Sequence, residues 1–471
     1  MGDFSMTEKG LKKELDYNLE LIDKKLRADE SFDIIRRDIV ICKKRARIYS
    51  VDGLIKDTVM GKIMTFFYSV TDEESMRDAD TFAENCVPYI EVNTEDNTDT
   101  ICINILSGIS ALFIEGCNKA VMMDTRTYPQ RQTSEPDDDK VVRGSKDGFV
   151  ETIISNVALI RRRIRDVNFT VKPFSVSRSS KSDVAVCYME DKVDHKLLKA
   201  ITERIENVRV DSLAMNQQSL IEAIYPKKWF NPFPKIKYTE RPDSAAANAI
   251  KGNIIILVDN SPSALILPTS IFDITEEPDD YYFPPVTGTY LRLSRFLIIL
   301  ASLFITPVWL LAQQNPEFVP EFFKFVVTTE NYNIPILAQL LILEIAIDGL
   351  RLAALNTPSS LSGTLGIIGA ITLSEFTIDV GWFSTEAMLY MAFVTIASFS
   401  QPSYELGYCI KFMRVLLLIL TSLFNLWGFI AGLIIIAVLL LTNKTVSGKS
   451  YLYPLIPFNG KAFINKVLRL R

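Results

Sequence analysis

Carboxylates inside apolar stretches are the residues of this chain whose type and spacing point most directly to chemistry. Glu344 and Asp348 lie in one such stretch, Glu375 and Asp379 lie in another, and each pair is four residues apart. On a helix, this spacing puts the two acids of a pair on one face. An acid inside a membrane is costly and normally faces a water-filled cavity or a partner, so all four are candidate residues of an ion pathway.

A structural interpretation of the same acids stays open. In that interpretation, the two aspartates lie at the membrane interface and a glutamate pairs with a neighbouring base, Arg351 or Arg414. Such a pair would satisfy the buried charge without any ion passing.

The motifs that most enzymes need are missing. His195 is the only histidine, which excludes a site with several histidine ligands, and the six cysteines are scattered without a C-x-x-C pair. No P-loop pattern G-x-x-x-x-G-K-[ST] occurs. The net charge of −5 argues against a nucleic-acid binder, which needs a concentrated basic face. The sequence therefore predicts a protein that is not an enzyme and that holds no metal and no cofactor.

Hydropathy divides the 471 residues into two parts. Up to about residue 291 the apolar patterns are those of strands and amphipathic helices, and beyond it come runs of bilayer length. We therefore expect an α+β cytosolic N-terminal region, made of two α/β subdomains, followed by an α-helical multi-span transmembrane domain of about five or six membrane segments. The predicted segments are residues 294–312, 334–350, 361–379, 382–399 and 407–441, the last one bent or folded into a hairpin.

The same patterns predict the domain boundaries. No internal sequence repeat is apparent. The expected parts are an amphipathic N-terminal helix (1–30), a first α/β subdomain (31–126), a long polar loop (127–148), a second α/β subdomain (149–290), the transmembrane domain (291–441) and a basic cytosolic tail (442–471).

Two helix boundaries follow from local signals. Thr71 followed by Glu74 has the spacing of a capping box, which predicts a helix that begins there. Apolar residues at helical spacing from Phe149 onward predict another helix at 149–166, whose last turn is rich in arginine. This arginine cluster could bind lipid headgroups or an acidic partner, although a solvated helix end explains it as well.

Basic residues next to the predicted membrane segments set their orientation. Arg292 and Arg295 precede the first segment, Lys411 and Arg414 follow the fourth, and the tail beyond residue 442 has six bases and no acid. Bases in these positions favour the cytosolic side. No signal peptide precedes the polar part, so the N-terminal region and the tail are both expected in the cytosol.

Glycines recur at short intervals inside the apolar stretches. Gly428 and Gly432 form G-x-x-x-G, a spacing that lets two helices approach closely. Helix packing is the favoured interpretation, and a glycine-lined pore wall is the alternative. The other glycines of this kind recur every third residue: Gly363, Gly366 and Gly369.

Several motifs resemble those of the A subunits of GerA-type spore germination receptors. The runs are residues 124–166, ILVDNSPSALILP and SQPSYELGY. Where nutrient-receptor A subunits have a run of the type ELLREA, this chain has DGLRLA at 348–353, which is similar to the branch of stage V sporulation protein AF and does not imply direct nutrient sensing. The signature residues, expected to act in assembly, are Arg143, Gly144, Gly148, Phe149, Arg161, Arg162, Arg163 and Arg165.

The resemblance implies a receptor subunit in the inner membrane of the spore. Such a protein would form a homo-oligomer that acts as an ion channel during germination. Its partners would be membrane lipid and other membrane germination proteins, a B-type subunit or another small membrane partner. Glu344 and Asp348 would then line or gate a cation path, since a ring of carboxylates favours cations. A non-conducting membrane scaffold and an ion-coupled transporter are the alternatives.

Overall fold

The chain folds into two units in the computed structural model. One unit spans Met1–Lys227 and Ile236–Pro268, and the other spans Lys228–Lys235 and Thr269–Arg471. The residues that the structure describes are 10–126, 142–213, 215–225, 231–328, 333–356 and 381–469.

The first unit begins with a five-stranded antiparallel sheet and the helices that cover it. The elements in chain order are α1 (Leu15–Leu26), β1 (Ile34–Ile41), β2 (Lys44–Val51), α2 (Asp57–Ser69), α3 (Ala79–Cys86), β3 (Val92–Glu95), α4 (Thr98–Leu106), β4 (Ser110–Ile114) and β5 (Ala120–Met123). The strand order in the sheet is β1-β2-β4-β5-β3. All five residues of β4 are buried, because helices cover both faces of the sheet.

A second five-stranded antiparallel sheet completes this unit. The elements are α5 (Ile153–Arg161), β6 (Phe169–Val176), β7 (Ser182–Met189), α6 (His195–Glu206), α7 (Asn216–Ile224), β8 (Lys237–Thr239), α8 (Pro242–Ile250), β9 (Ile254–Val258) and β10 (Ala264–Leu267). The strand order is β6-β7-β9-β10-β8, and the central strand β9, IIILV, is also buried along its whole length. The two sheets establish the predicted α/β character of the N-terminal region.

The two sheets are structural repeats of one another. Each follows a helix and has a hairpin, two helices, an edge strand, a helix and a second hairpin, with the same strand order. The turn after the last helix of each repeat contains a glycine with φ of +96°, Gly108 in the first and Gly252 in the second. Only glycine adopts this conformation without strain.

A buried asparagine marks the same position in both repeats. The Oδ1 of Asn18 accepts a hydrogen bond from the backbone N–H of Lys12 at 2.9 Å. In the second repeat, the Oδ1 of Asn156 accepts one from the backbone N–H of Val150 at 2.8 Å. The surrounding sequences, GLKKELDYNLELIDKKLR at 10–27 and GFVETIISNVALIRRRIR at 148–165, share glycine, asparagine, Leu-Ile and the final arginine. The expectation of no internal repeat is therefore wrong, because the repeat is carried by a few structural positions within otherwise divergent sequence.

Several local predictions differ from the structure. The helix predicted from Thr71 begins instead at Ala79, because the side chain of Asp78 accepts from the backbone N of Thr81 and caps it. The helix predicted at 149–166 is shorter and begins at Ile153, since the backbone N–H of Phe149 donates to the carbonyl of Glu240 at 2.8 Å. Helix α1 is part of the first sheet's core and not a separate surface element.

The second unit is helical. Its described elements are α9 (Ile271–Ile274), α10 (Asp279–Tyr282), α11 (Pro285–Gln314), α12 (Ile336–Asn356), α13 (Thr385–Phe399), α14 (Tyr404–Thr442) and α15 (Gly460–Val467). Among these, α11 and α14 are long and apolar enough to cross a membrane, and α13 is a shorter apolar helix. The predicted segment 361–379, with Gly363, Gly366, Gly369, Glu375 and Asp379, lies outside the described residues.

Helix α14 reverses direction at Asn425. This residue has φ of 54° and ψ of −134°, which no helix accommodates, and its side chain donates to Asn315 at the end of α11. A Cβ built on Gly432 would lie 2.6 Å from Leu417, so the two arms of α14 are antiparallel neighbours. Of the two arrangements predicted for 407–441, bent or folded into a hairpin, this geometry is the hairpin.

Adding a methyl group at Gly428 is expected to disrupt the hairpin. The Cβ of Gly428→Ala would lie 1.8 Å from the carbonyl oxygen of Leu420, a distance that only a backbone shift can relieve. We expect a loss of about 1–3 kcal/mol or more, the usual cost of overpacking, measured as a lower unfolding temperature in detergent.

The matched control is Gly349→Ala in α12. No atom lies within 4 Å of the Cβ position at Gly349, so the change should be neutral or stabilising by up to about 1 kcal/mol through helix propensity. Equal unfolding temperatures for the two variants would contradict the hairpin packing.

Candidate functional site

A buried ion pair joins α12 to the first arm of α14. Glu344 is 3% exposed, and Arg414 approaches its Oε1 with Nη2 at 2.5 Å and Nε at 2.7 Å. The third guanidinium nitrogen of Arg414 donates to the carbonyl of Ser302 in α11 at 3.0 Å. One arginine therefore connects three helices of this unit.

A second base extends the pair into a network. Lys411 lies one helical turn before Arg414, with its Nζ 3.4 Å from Oε2 of Glu344, and it also pairs with Asp348. Two acids from α12 thus face two bases from α14, and their formal charges cancel. The i, i+4 spacing did predict that Glu344 and Asp348 share a face.

A small polar cavity adjoins the network. Its volume is about 30 Å³, and Arg351, Thr395, Gln401 and Tyr408 are among the residues that line it with the four charged side chains. Among the described residues, Nε of Arg351 and Oε1 of Gln401 are buried polar atoms without a hydrogen-bond partner. A cavity of this size with polar walls can hold about one or two waters.

Arg351 adds a further positive charge at the cavity wall. Its Nη2 donates to Ser398 in α13 at 2.9 Å, and its guanidinium stacks on Phe399 and Tyr408 at 4.9 Å and 5.5 Å. The sequence suggested Arg351 or Arg414 as a partner of a glutamate, and the structure brings Arg414 to Glu344. Lys411 was considered only as an orientation signal.

Charges also cluster where α11 begins. Asp280 is fully buried between Arg292, whose Nε lies 3.0 Å from its Oδ2, and Arg295, whose Nη1 lies 3.1 Å from the same oxygen. The backbone of α10 approaches so closely that a Cβ at Gly288 would lie 2.2 Å from the carbonyl oxygen of Asp280. Sequence reasoning used both arginines as orientation signals and missed their partner. The recurrence of acids at positions 273, 276, 277 and 280 could have indicated it.

The arginine cluster of the N-terminal region divides into different roles. Arg161 is 1% exposed, forms a two-point pair with Asp33 at 2.9 Å and 3.2 Å, and donates to the carbonyl of Phe169 at 2.9 Å. Asp33 belongs to the first repeat and Arg161 to the second, so this buried pair joins them. An exposed, ligand-binding role is therefore wrong for Arg161, whereas Arg162 and Arg165 are exposed.

Arg163 fastens the segment that precedes the second repeat. Its Nη2 lies 2.6 Å from both carboxylate oxygens of Asp147, which also accepts from Ser145. Burial alone would raise the pKa of Asp147, but these hydrogen bonds outweigh burial and hold the pKa below its ordinary value.

The remaining signature residues have structural positions. Phe149 is buried in the core of the second sheet, and Gly144 has a positive φ of 119°. Arg143 is exposed, and Gly148 occupies the position that Gly10 occupies in the first repeat. None of these positions tests an assembly role, which stays a prediction.

Comparison with known proteins gives matches along nearly the whole chain. A sequence model described as "Bacillus/Clostridium GerA spore germination protein" matches residues 20–471. Stage V sporulation protein AF of Bacillus subtilis (strain 168) is 37% identical over 440 residues, covering 93% of this chain and 89% of that protein. Spore germination protein A1 of the same organism is 28% identical, covering 78% of this chain and 76% of that protein.

A solved structure is also similar. It is the crystal structure of the N-terminal domain of the A subunit of the Bacillus megaterium spore germinant receptor GerK3. The sequences are 27% identical, and the match covers 55% of this chain and 96% of that chain with a TM-score of 0.43.

Proposed function

Because the chain belongs to the GerA family of Bacillus/Clostridium spore germination proteins, we propose that it is a membrane subunit of a germination complex that releases ions across the inner membrane of the spore. The membership confirms the family resemblance found in the sequence. In this proposal the subunit acts as a homo-oligomer, together with other membrane germination proteins such as a B-type subunit.

The proposed topology has six crossings. Helices α11, α12 and α13, the two arms of α14 and the predicted segment 361–379 supply them, and the sheet-bearing unit and the tail then lie in the cytosol. The 21 residues of α12 rise about 32 Å, enough to cross a hydrocarbon core of roughly 30 Å.

The observation that carries the proposal is the charged network beside the polar cavity. Glu344 is buried between α11, α12 and α14, where a charge would be too costly without a function or a partner. In the proposed resting state, Lys411 and Arg414 neutralise the acids and the pathway is closed. Opening would separate Lys411 from Asp348, hydrate the carboxylates and provide a path for cations.

A non-conducting scaffold is the second candidate, and the pairing itself favours it. Glu344 and Asp348 both have basic partners, as in an ion-pair network that only fixes helix packing. A scaffold would need the charges for folding and would pass no ions in any variant that folds.

Cation flux in proteoliposomes distinguishes the two candidates. We compare Lys411→Met, which lacks the base that pairs with Asp348 in the closed state, with Lys411→Met/Glu344→Gln/Asp348→Asn at equal incorporation and equal oligomeric state. If the acids line a pathway, Lys411→Met conducts cations and the triple variant loses this flux or becomes unselective, because only bases then face the cavity. Flux that the triple variant keeps, with its selectivity unchanged, would contradict a role for these acids in conduction.

A further inference from the structure

The C-terminal segment is folded onto the start of α11. Lys466 pairs with Asp273, and its Nζ lies 3.4 Å from Oε2 of Glu276. The backbone N of Arg469 donates to the hydroxyl of Thr289 at 3.1 Å. The tail predicted as a basic cytosolic extension therefore has a fixed inner face.

The outer face of this segment is apolar and exposed. Phe458 exposes 72% of its surface, and its neighbours along the chain are also uncovered. A contiguous run of large apolar side chains is rare on a surface that faces only water and usually marks contact with another apolar phase. The exposed apolar residues are Tyr453, Leu455, Ile456, Phe458 and Ile464.

This apolar face lies at one end of the helical unit. Tyr451 packs in one core with Leu406 and Cys409 at the start of α14, and Lys444 and Ser450 form a β-bridge just after α14 ends. Because α14 reverses, its start, its end and the start of α11 are all at this end.

Exposed apolar residues continue from this end along α11. Tyr290 is 67% exposed, and the other members of the stripe lie on either side of it at helical spacing. Tyrosine near the end of such a stripe is typical of a membrane interface. The stripe consists of Val286, Tyr290, Leu293 and Leu297.

Charge complements the apolar face. Lys444, Lys449 and Lys461 are exposed in this part of the chain, and no acid occurs beyond residue 442. Lysines next to a membrane are attracted by anionic lipid headgroups. A second copy of the chain would bring lysines against lysines, so like-charge repulsion disfavours it as the occupant of this face.

We propose that residues 453–469 lie in the plane of the membrane leaflet at this end and bind anionic phospholipid. The exposed apolar side chains enter the acyl boundary, and the three lysines contact the phosphates, as in amphipathic interfacial segments. The ionic contacts of Lys466 hold the segment against α9 and the residues that follow it, and Arg469 holds it against the start of α11. This lipid site goes beyond ion release and would exist in a scaffold as well.

Hydrogen–deuterium exchange of the full chain in nanodiscs tests the proposal. One set of discs contains phosphatidylcholine alone and the other contains about 30% phosphatidylglycerol. We expect backbone amides of 453–469 to exchange about five-fold more slowly in the discs with phosphatidylglycerol. The triple variant Lys444→Gln/Lys449→Gln/Lys461→Gln should lose this difference.

A matched variant controls for net charge. Lys181→Gln/Lys192→Gln/Lys196→Gln removes three exposed lysines from the sheet-bearing unit and should keep the difference between the two lipids. Phe458→Ser should speed exchange in both kinds of disc, since insertion is weakened. Equal exchange in phosphatidylcholine, in phosphatidylglycerol and in detergent would overturn the proposal, as would loss of the difference in the control variant.

Discussion

Replacing Arg414 with leucine is expected to destabilise the helical unit by about 3–5 kcal/mol, the usual cost of leaving one partner of a buried ion pair alone. Glu344 would stay 3% exposed without the guanidinium that contacts it at 2.5 Å, and the carbonyl of Ser302 would lose its donor. Most of the variant should aggregate on extraction, and the folded remainder should unfold at a much lower temperature in detergent.

A double replacement separates the pair's contribution from the cost of an orphaned charge. The variant Glu344→Leu/Arg414→Leu removes both the carboxylate and the guanidinium of the pair. Lys411 and Asp348 still pair with each other in this variant. Removing both partners of a buried pair is often nearly neutral. We therefore expect the double variant to recover most of the lost stability. A double variant as unstable as Arg414→Leu alone would contradict the pairing of Glu344 with Arg414.

Replacing Arg161 with leucine is expected to cost a similar amount in the sheet-bearing unit. The change leaves Asp33 buried without its two-point partner and removes the donor to the carbonyl of Phe169. A loss of about 3–5 kcal/mol corresponds to at least a 100-fold increase in opening of the native state. Hydrogen–deuterium exchange of β1 and β6 in the full chain measures it.

Arg165→Leu is the matched control for Arg161. Arg165 is four residues further on and exposed, so its replacement should change stability by less than about 0.5 kcal/mol. Arg161→Leu/Asp33→Leu should recover part of the protection, since no lone charge is then buried. Equal exchange rates in the Arg161 and Arg165 variants would show that Arg161 does not join the two repeats.

The periodicity of apolar residues predicted the kinds of secondary structure better than it predicted which residues contact one another. Hydropathy indicated the α/β character of the first unit and the helical character of the second, and both hairpins of each sheet follow alternating or continuous apolar runs. The edge strands β3 and β8 were not predicted, because four and three residues are too short for a pattern. The predicted start of a helix was wrong where a residue that caps the helix better, such as Asp78, lay further along the chain.

Burial of individual charges could not be predicted from neighbouring sequence. Four arginines near one helix end look alike, and only the partner Asp33, 128 residues away, makes Arg161 a core residue. The pairing of Glu344 with a base such as Arg414 was one of two interpretations that the sequence left open. Lys411 contacts the same acids because it lies one helical turn before Arg414, and the sequence analysis did not assign it to the site. The repeat escaped notice because few of its positions keep the same residue.

The measurement that tests the central claim most directly is ion flux through Lys411→Met in proteoliposomes. The claim is that Lys411 and Arg414 neutralise pathway acids in a closed state. Removing Lys411 leaves Asp348 without its base and should give a leak at least about ten-fold above wild type that favours potassium over chloride. Lys196→Met, an exposed lysine of the sheet-bearing unit, should be as tight as wild type. A folded Lys411→Met oligomer that is equally tight would contradict the pathway and favour the scaffold.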